Sequence, residues 1–569
     1  MSEPVTSDSL VQPQGSHQPP PKPIMNLFEK TSTRLVACAL SGLLLVACFP
    51  KIHLPGLVWV ACLPLLTALA GEKRLKRAFL LGYVCGVVYF AGSCYWFVTV
   101  MELYGHLAPA LAVVVLILFV IIDSTFFGGF GLAMGWAARR SSGWALALSP
   151  FLWVAMELAR TYLITGFPWN LLGYAVQAPG LRQIASVTAV YGLSFLAVAT
   201  SALLAWVLLS PRRARAGLAL AGWLVLLFVA QWRLAPPPAV VGKELAFLVQ
   251  TNVPLDEPDL DAWAPWRDST QLQQLVQLSV DAVAIQDSKF KIQNEAAAAP
   301  IQNPKSKIQN PAAVPPIANR QSPIDNPPLL IWAENPAPFY FTRDPIFRNA
   351  MENMARQTRA FVIANTIIPM DAEGDTITNS AVTLDPEGRE VSRYDKIHLV
   401  PFGEYVPGWA LPGLVHKITS EVGNFVPGTS YPVAKSPGGG IGVFICYEAI
   451  IPQLARQLVA GGAGVLVNIS NDAWYGDSAA AYQHLEMARL RAIENHRYLL
   501  RATNNGLTTL IDPYGRVLEE IPRYRRMVMP AHFNYETRQT FYSAHGDVFA
   551  WLCATVAALM LAFGTRRQK

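Results

Sequence analysis

Long apolar segments are the feature that most constrains this chain. Seven lie in the first 240 residues and an eighth lies further on, at approximately 33–50, 55–71, 79–100, 108–137, 144–163, 184–210, 216–235 and 546–564. A helix needs about 20 mainly apolar residues to cross a bilayer. Charged residues make up only 15% of the chain, whereas soluble domains have about a quarter. The sequence therefore predicts a multi-pass α-helical membrane bundle of about eight spans.

The charges between these segments predict which loops face the cytoplasm. Basic residues cluster in four places: Lys73, Arg74, Lys76 and Arg77; Arg139 and Arg140; Arg212, Arg213 and Arg215; and Arg566, Arg567 and Lys569. Loops rich in Lys and Arg stay on the cytoplasmic side. Both termini are then cytoplasmic, and residues 236–545 lie outside. The same clusters account for the net charge of +6, which therefore gives no reason to expect a nucleic-acid partner.

The exterior region reads as alternating strands and helices. Strand patterns occupy Glu244–Gln250, Leu329–Ala333, Ala360–Asn365 and Gly464–Ile469, and helical patterns occupy about 267–285, 345–357 and 482–497. Two Asp-Pro-x-Gly turns, at 385–388 and 512–515, each lie between short strand patterns, as in hairpins. The sequence predicts a layered α/β domain over 236–545, followed by a last span and a cytoplasmic tail over 546–569.

Two segments have the composition of disordered chain. Residues 1–32 are rich in Pro, Ser and Gln, and residues 285–328 repeat Lys-x-Lys-Ile-Gln-Asn among Ala and Pro. Such segments bury too little apolar area to offset the entropy of ordering. We expect a disordered cytoplasmic tail before the membrane domain of 33–235, and a flexible insertion within the exterior domain.

Cys446 is the candidate nucleophile. It is the only one of seven cysteines outside the apolar segments, and it ends the strand pattern Gly442–Ile445. A lone cysteine there is often just a small buried hydrophobe. Two partners upstream favour chemistry instead: Glu334, at the end of the strand pattern that starts at Leu329, and Lys396. A carboxylate can take the thiol proton, and an ammonium can stabilise the oxyanion that follows.

Five further motifs connect these residues to a known family. They are Gly166-Phe-Pro-Trp169, the stretch from Asp395 to Pro407, Cys446-Tyr-Glu448, the stretch from Asn468 to Gly476, and the stretch from Arg501 to Gly506. Through them the exterior region resembles the carbon-nitrogen hydrolase (nitrilase) superfamily, which has an αββα sandwich fold and a Glu-Lys-Cys triad. The whole chain from about 33 to 565, apart from the insertion, is similar to the apolipoprotein N-acyltransferase family. The departures are modest: Ala333 stands where Pro is more frequent, Asn335 stands where Ser or Thr is more frequent, and Tyr475 stands where Phe is usual.

The resemblance implies an acyltransferase of the bacterial inner membrane with its catalytic domain on the periplasmic side. Glu334 would deprotonate Cys446, and the thiolate would take an acyl chain from a membrane phospholipid as a thioester. The α-amino group of the diacylglyceryl-cysteine at the N-terminus of an apolipoprotein would then accept that chain. Lipoprotein maturation would end with this step, and no cofactor is implied.

Further roles follow from the same motifs. Lys396 and the backbone N–H of Tyr447 would donate to the oxyanion. Glu404 matches a second family glutamate that orients Lys396 or assists the base, and pairing with an Arg is its alternative role. Glu448 would either hold the turn at Cys446 through backbone N–H groups or line the substrate entrance.

The sequence assigns less definite roles to two tryptophans and three histidines. Trp263 or Trp266 would match a tryptophan of the family's mobile lid, although aromatic residues near a membrane also act as interfacial anchors. His398, His484 and His496 do not have metal-ligand spacing and have no cysteine partner, so no metal is predicted.

Two other functions remain open at this stage. A membrane-tethered amidase or nitrilase would use the same triad and pass its acyl group to water, but a seven-span bundle is superfluous for a soluble substrate. A non-catalytic lipid-binding scaffold or a transporter would not need the triad. The spans also hold few charges besides Asp123 and Glu157, which is meagre for an ion pathway.

Overall fold

The computed structural model describes residues 30–103, 107–164, 166–253, 268–298, 326–334, 339–371, 376–401, 403–405 and 424–564. Its amino-terminal part is helical: α1 (Thr31–Ala47), α2 (Leu63–Ala70), α3 (Leu75–Ser93), α4 (Phe97–Leu103), α5 (Pro109–Ala138), α6 (Ser142–Tyr162), α7 (Pro179–Arg182), α8 (Ala185–Leu209) and α9 (Arg213–Arg233). Five of these helices, α3, α5, α6, α8 and α9, are long and apolar enough to cross a membrane. Three apolar helical stretches are shorter: α1, residues 55–70 and 548–563. The predicted multi-pass bundle is confirmed, while the count of eight spans stays a prediction.

Helices α3 and α5 pack closely because glycines face each other across the contact. A Cβ atom built on Gly82 would lie 2.1 Å from the carbonyl oxygen of Phe127, and one built on Gly131 would lie 2.2 Å from the carbonyl oxygen of Ala78. Small residues let membrane helices approach to backbone contact. The bundle therefore contains at least one contact that a single methyl group would disturb.

The α/β domain, which begins at Glu244 after the bundle, contains two six-stranded sheets in the residues that the structure describes. One has the order β12-β1-β2-β3-β4-β5 and the other has the order β11-β10-β9-β8-β7-β6. The strands are β1 (Glu244–Gln250), β2 (Leu329–Trp332), β3 (Phe361–Pro369), β4 (Ile377–Leu384), β5 (Glu390–Asp395), β6 (Val433–Ser436), β7 (Gly439–Ile445), β8 (Ala463–Ser470), β9 (Leu499–Thr503), β10 (Thr508–Ile511), β11 (Val517–Ile521) and β12 (Met527–Phe533). Both predicted hairpins are present, as the antiparallel pairs β4–β5 and β10–β11.

The remaining helices are α10 (Thr270–Ala298), α11 (Pro345–Thr358), α12 (Pro452–Ala460), α13 (Ala480–Asn495), α14 (Phe541–His545) and α15 (Val548–Gly564). Alternate residues of β1 explain the layering: Phe247 joins a core with α10 and α11, whereas Leu248 joins the core that contains α12 and α13. This is the period of two expected of a strand buried on both faces. The αββα arrangement implied by the family resemblance is confirmed.

Two predicted boundaries differ. Helix α10 continues to Ala298, 14 residues into the predicted insertion (residues 285 to 298), because the run Glu295-Ala-Ala-Ala298 favours helix. Helix α1 begins at Thr31, inside the predicted tail, while residues 1–29 and the rest of the insertion to 325 lie outside the described residues.

Helix α13 joins the α/β domain to the membrane bundle. The indole N–H of Trp169, which follows α6, donates to Gln483 Oε1 at 2.8 Å. Arg182 of α7 pairs with Glu486 at 3.2 Å, and both side chains are largely buried. A buried ion pair makes a contact specific because either partner left alone would be costly. The α/β domain is thus docked on the membrane bundle through α13.

Candidate active site

Cys446 lies where β7 passes into a short 3-10 helix, Cys446–Ile450. Its φ is +51°, in the left-handed region that a residue with a Cβ atom rarely occupies. Strain of this kind concentrates at functional sites, where the surroundings must hold it in place. Burial and the nearby Glu334 raise the pKa of the Cys446 thiol, although Lys396 opposes them. The resting group is therefore a neutral thiol that needs a base.

Glu334 is placed to be that base. It lies directly after β2 and is 6% exposed. Its Oε1 accepts from Asn379 Nδ2 at 2.9 Å, its Oε2 accepts from the Asn471 N–H at 2.9 Å, and the Cys446 thiol is a further hydrogen-bond partner. Burial raises the pKa of Glu334 even though Lys396 lowers it. A carboxylate with a raised pKa is a stronger base toward a thiol.

Lys396 follows β5, and its side chain is 2% exposed. Its Nζ lies 2.8 Å from Glu404 Oε1 and 3.8 Å from Glu334 Oε1. Asn379 Nδ2 also donates to Glu404, at 2.9 Å, so one amide connects the two carboxylates. Burial alone would lower the pKa of Lys396, but Glu404 and Glu334 raise it above its ordinary value. The group is therefore an ammonium at neutral pH.

Glu448 lies two residues beyond the nucleophile and is fully buried. Its Oε1 accepts from the Tyr394 hydroxyl and the Ile397 N–H, both at 2.7 Å, and from the His398 N–H at 3.0 Å. Its Oε2 accepts from the Ile445 N–H at 2.7 Å. These bonds tie the turn at Cys446 to the segment that follows Lys396. Of the two predicted roles, this geometry favours holding the turn.

The structure brings Glu334, Lys396 and Cys446 together, with Glu404 beside Lys396 and bonded to the same Asn379 amide as Glu334. Tyr447 is the second residue of the 3-10 helix, where backbone N–H groups have no acceptor within the helix, and its side chain is 7% exposed. The candidate lid residues, Trp263 and Trp266, lie outside the described residues.

Sequence reasoning missed Asn379. It lies on β4 within Thr378-Asn-Ser380, three consecutive polar residues that are all buried. Consecutive buried polar residues in a strand need partners on both faces of the sheet. A polar run at the head of an apolar strand is the signal that could have identified this residue.

A second polar layer lies behind Cys446. His484, in the first half of α13, has its Nε2 3.1 Å from the Cys446 carbonyl oxygen and its Nδ1 3.1 Å from Asp472 Oδ1. Arg501 Nη2 donates to both oxygens of Asp472, at 2.8 Å each. Although burial opposes it, Arg501 holds the pKa of Asp472 well below its ordinary value. His484 was considered in the sequence only as a metal ligand, because its approach to Cys446 depends on tertiary packing.

Comparison with known proteins agrees with this architecture. A profile described as the apolipoprotein N-acyltransferase N-terminal domain matches residues 41–203, and one described as carbon-nitrogen hydrolase matches residues 311–541. The α/β domain is thus a carbon-nitrogen hydrolase domain joined to a membrane bundle.

Curated relatives identify the family. An apolipoprotein N-acyltransferase of Geobacter metallireducens is 34% identical over 93% of this chain and 95% of its own length. One of Allorhizobium ampelinum is 32% identical over 86% of this chain and 85% of its own. The chain belongs to the apolipoprotein N-acyltransferase family, and it is a transferase enzyme of a bacterial membrane.

Solved structures give a more distant likeness. Nit3 of Saccharomyces cerevisiae, a member of branch 10 of the nitrilase superfamily, is 16% identical, covers 55% of this chain and 97% of its own, and has a TM-score of 0.34.

Proposed function

We propose that this protein moves an acyl chain from a membrane phospholipid, through a thioester on Cys446, to the α-amino group of the diacylglyceryl-cysteine at an apolipoprotein N-terminus. One observation supports the chemistry above all others: the Glu334 carboxylate lies between the Cys446 thiol, its hydrogen-bond partner, and the Lys396 ammonium 3.8 Å away. The names of the relatives support the acceptor.

In the first half-reaction Glu334 takes the thiol proton as the sulfur attacks the sn-1 ester carbonyl carbon. The carbonyl oxygen becomes an oxyanion, which the Lys396 ammonium and the Tyr447 N–H would stabilise. The carbon–oxygen bond to glycerol then breaks, and Glu334 returns the proton to the leaving alkoxide. A lysophospholipid departs, and the acyl chain remains on Cys446 as a thioester.

In the second half-reaction the free amine of the acceptor attacks the thioester carbon. Glu334 takes a proton from the amine, the same donors hold the second oxyanion, and the carbon–sulfur bond breaks. The thiolate regains its proton from Glu334, and the product carries a new amide bond. An amine attacks a thioester more readily than an oxygen ester, so the thioester intermediate makes the second half-reaction easier.

Other residues support these steps. Glu404 holds the Lys396 ammonium in place, and Glu448 holds the turn of Cys446. We assign Trp263 and Trp266 to a lid or substrate contact, on the family resemblance alone.

The architecture supports delivery of both lipid substrates. Docking through α13 holds the catalytic domain against the membrane bundle, and in the orientation that we propose both lipid substrates are anchored at that face. We place the membrane domain at 33–235 and the catalytic domain at 236–545, on the periplasmic side of the inner membrane with both termini cytoplasmic. Cysteine labelling from either side would test this orientation.

Intact-mass spectrometry tests the function. The purified protein is incubated with phospholipid beside Cys446→Ala, and a hydroxylamine-sensitive gain of one acyl chain is expected only when Cys446 is present. A diacylglyceryl-cysteinyl peptide should discharge the adduct and gain the acyl chain. Discharge at the same rate by water alone would identify a hydrolase, and the absence of any adduct would contradict the proposal.

A further inference from the structure

His484 is a fully buried histidine that the proposed chemistry does not use. Its Nε2 lies 3.1 Å from the Cys446 carbonyl oxygen. Because a carbonyl oxygen only accepts hydrogen bonds, Nε2 must carry the hydrogen and donate. The ring therefore binds the backbone of the nucleophile and not its thiol.

The other ring nitrogen, Nδ1, lies between two charged groups. It is 3.1 Å from Asp472 Oδ1 and 3.1 Å from Arg501 Nη2. Burial and the Arg501 guanidinium lower the pKa of His484, although Asp472 opposes them. The hydrogen on Nε2 is set by the Cys446 carbonyl, which can only accept, whichever of these groups Nδ1 bonds.

The bond to the Cys446 carbonyl has a geometric consequence for the next residue. The peptide between Cys446 and Tyr447 is planar, and in a trans peptide the C=O and the N–H point in opposite directions. Holding the carbonyl toward His484 therefore turns the Tyr447 N–H away from His484. A donor on the carbonyl also polarises the amide, which makes its N–H a stronger donor.

The histidine ring is held in turn from the membrane bundle. Trp169 stacks on it with ring centroids 5.8 Å apart and an interplanar angle of 23°. The indole N–H of Trp169 donates to Gln483, next to His484 on α13, at 2.8 Å, and its carbonyl accepts from Arg160 Nη2 at 2.8 Å. The side chain of Trp169 is thus bonded to α13, and its backbone carbonyl is bonded to α6.

We propose that His484 is a positioning residue that aims the Tyr447 N–H at the developing oxyanion by holding the Cys446 carbonyl, and that Trp169 of the membrane domain holds the His484 ring. This inference rests on the proposed function for the role of Tyr447. It makes the docking of the two domains a condition for a well-formed oxyanion site.

Two reactions of Cys446 separate this role from a merely structural one. Alkylation by iodoacetamide forms a sulfur–carbon bond with loss of iodide and no oxyanion. Acylation by p-nitrophenyl octanoate forms a thioester through an oxyanion, with loss of p-nitrophenolate. Only the second reaction uses the Tyr447 N–H, and neither requires a phospholipid.

The full-length protein in detergent is compared with His484→Phe, which keeps a ring against Trp169 but has no donor. Because removal of one oxyanion donor costs about 100-fold or more, we expect acylation to fall by about 10- to 100-fold, with alkylation within about 3-fold of wild type. His484→Gln, whose amide can reach the Cys446 carbonyl, should recover most of the loss. Where the Phe variant does not fold, His484→Asn, whose amide is too short for that carbonyl, replaces it.

Trp169 has a matched pair of variants. Trp169→Phe retains an aromatic ring against His484 but loses the indole N–H bond to Gln483, so it should lose less acylation than Trp169→Leu, which should show the same selective loss as His484→Phe. Parallel losses in both reactions, or no loss in His484→Phe, would overturn the inference. So would a wild-type protein that p-nitrophenyl octanoate does not acylate at Cys446. A protein that this ester acylates but phospholipid does not would refute the proposed function and leave the positioning role supported.

Discussion

Lys396 and Glu404 form a buried ion pair, with 2.8 Å between Nζ and Oε1. Glu334 lies further from the same ammonium, at 3.8 Å. The difference between these two distances matters because close pairing with the Lys396 ammonium would make Glu334 a weaker base. Through its closer contact with the ammonium, Glu404 keeps Lys396 charged while leaving Glu334 free to accept the thiol proton.

The first prediction concerns the alkaline limb of the pH profile. Glu404→Gln removes the closer of the two charges that raise the pKa of Lys396 against the effect of burial. The ammonium should then lose its proton at lower pH. Because a close opposite charge shifts a pKa by about 1–3 units, the alkaline limb should move to lower pH by a similar amount. The measurement is the rate of thioester formation as a function of pH.

Glu387→Gln is the matched control for that variant. It makes the same change of charge in the exposed turn between β4 and β5 and should leave the profile unchanged. If the alkaline limb of Glu404→Gln coincided with that of wild type, Glu404 would not set the charge state of Lys396.

The second prediction concerns the acid limb. Asn379 donates to Glu334 at 2.9 Å and lowers its pKa, against the burial that raises it. Asn379→Ala should raise the pKa of Glu334 further, so that the base is protonated at a higher pH and the acid limb moves upward. The rate of thioester formation against pH measures this shift. Thr378→Val is the control, since Thr378 lies on the other face of β4 and bonds Ser380 at 2.8 Å; an equal shift in both variants would contradict the assignment.

The third prediction concerns stability. Arg501 and Asp472 are both fully buried, and removing one partner of a buried ion pair costs about 3–5 kcal/mol. Arg501→Met should therefore lower the midpoint of thermal unfolding in detergent. The difference between its unfolding midpoint and that of wild type should shrink as the pH falls. Without Arg501 the pKa of Asp472 is no longer held below its ordinary value, so Asp472 can take up a proton in the folded state.

Arg356→Met provides the comparison for this stability change. Arg356 pairs with Glu352 at 2.9 Å on the exposed face of α11, and exposed pairs contribute little to stability. Its unfolding midpoint should stay near that of wild type at every pH. A deficit in Arg501→Met that did not change with pH would show that lost packing, and not the unpaired carboxylate, is responsible.

The sequence predicts the elements of the α/β domain well where periodicity and turn chemistry agree. Strand β1 begins and ends where its pattern does, at Glu244 and Gln250, and both Asp-Pro-x-Gly turns close hairpins. Local signals suffice there because the residues that decide the structure are neighbours in the chain. The count of membrane spans is harder, since helices such as α1, with 17 residues, lie at the limit of a bilayer-crossing length.

The residues of the candidate site also differ in how well local sequence signals predict them. Glu334, Lys396 and Cys446 were identified from their places at strand ends and from family motifs, and the structure brings them together. The contacts of Asn379 with Glu334 span 45 residues, and those of His484 with Cys446 span 38. No local pattern predicts such contacts, because they arise from the packing of two sheets and of α13 behind the turn.

The last prediction concerns the contact between α3 and α5. A methyl group on Gly131 would lie 2.2 Å from the carbonyl oxygen of Ala78, whereas one on Gly129 would meet nothing within 4 Å. Gly131→Ala should force the two helices apart and destabilise the bundle by about 1–3 kcal/mol. Gly129→Ala should be neutral or slightly stabilising, because Ala favours helix by about 1 kcal/mol over Gly. Both variants differ from wild type by one methyl group in the same helix, so a difference between their unfolding midpoints in detergent measures the close approach itself. Equal midpoints would mean that α3 and α5 do not pack backbone to backbone at Gly131.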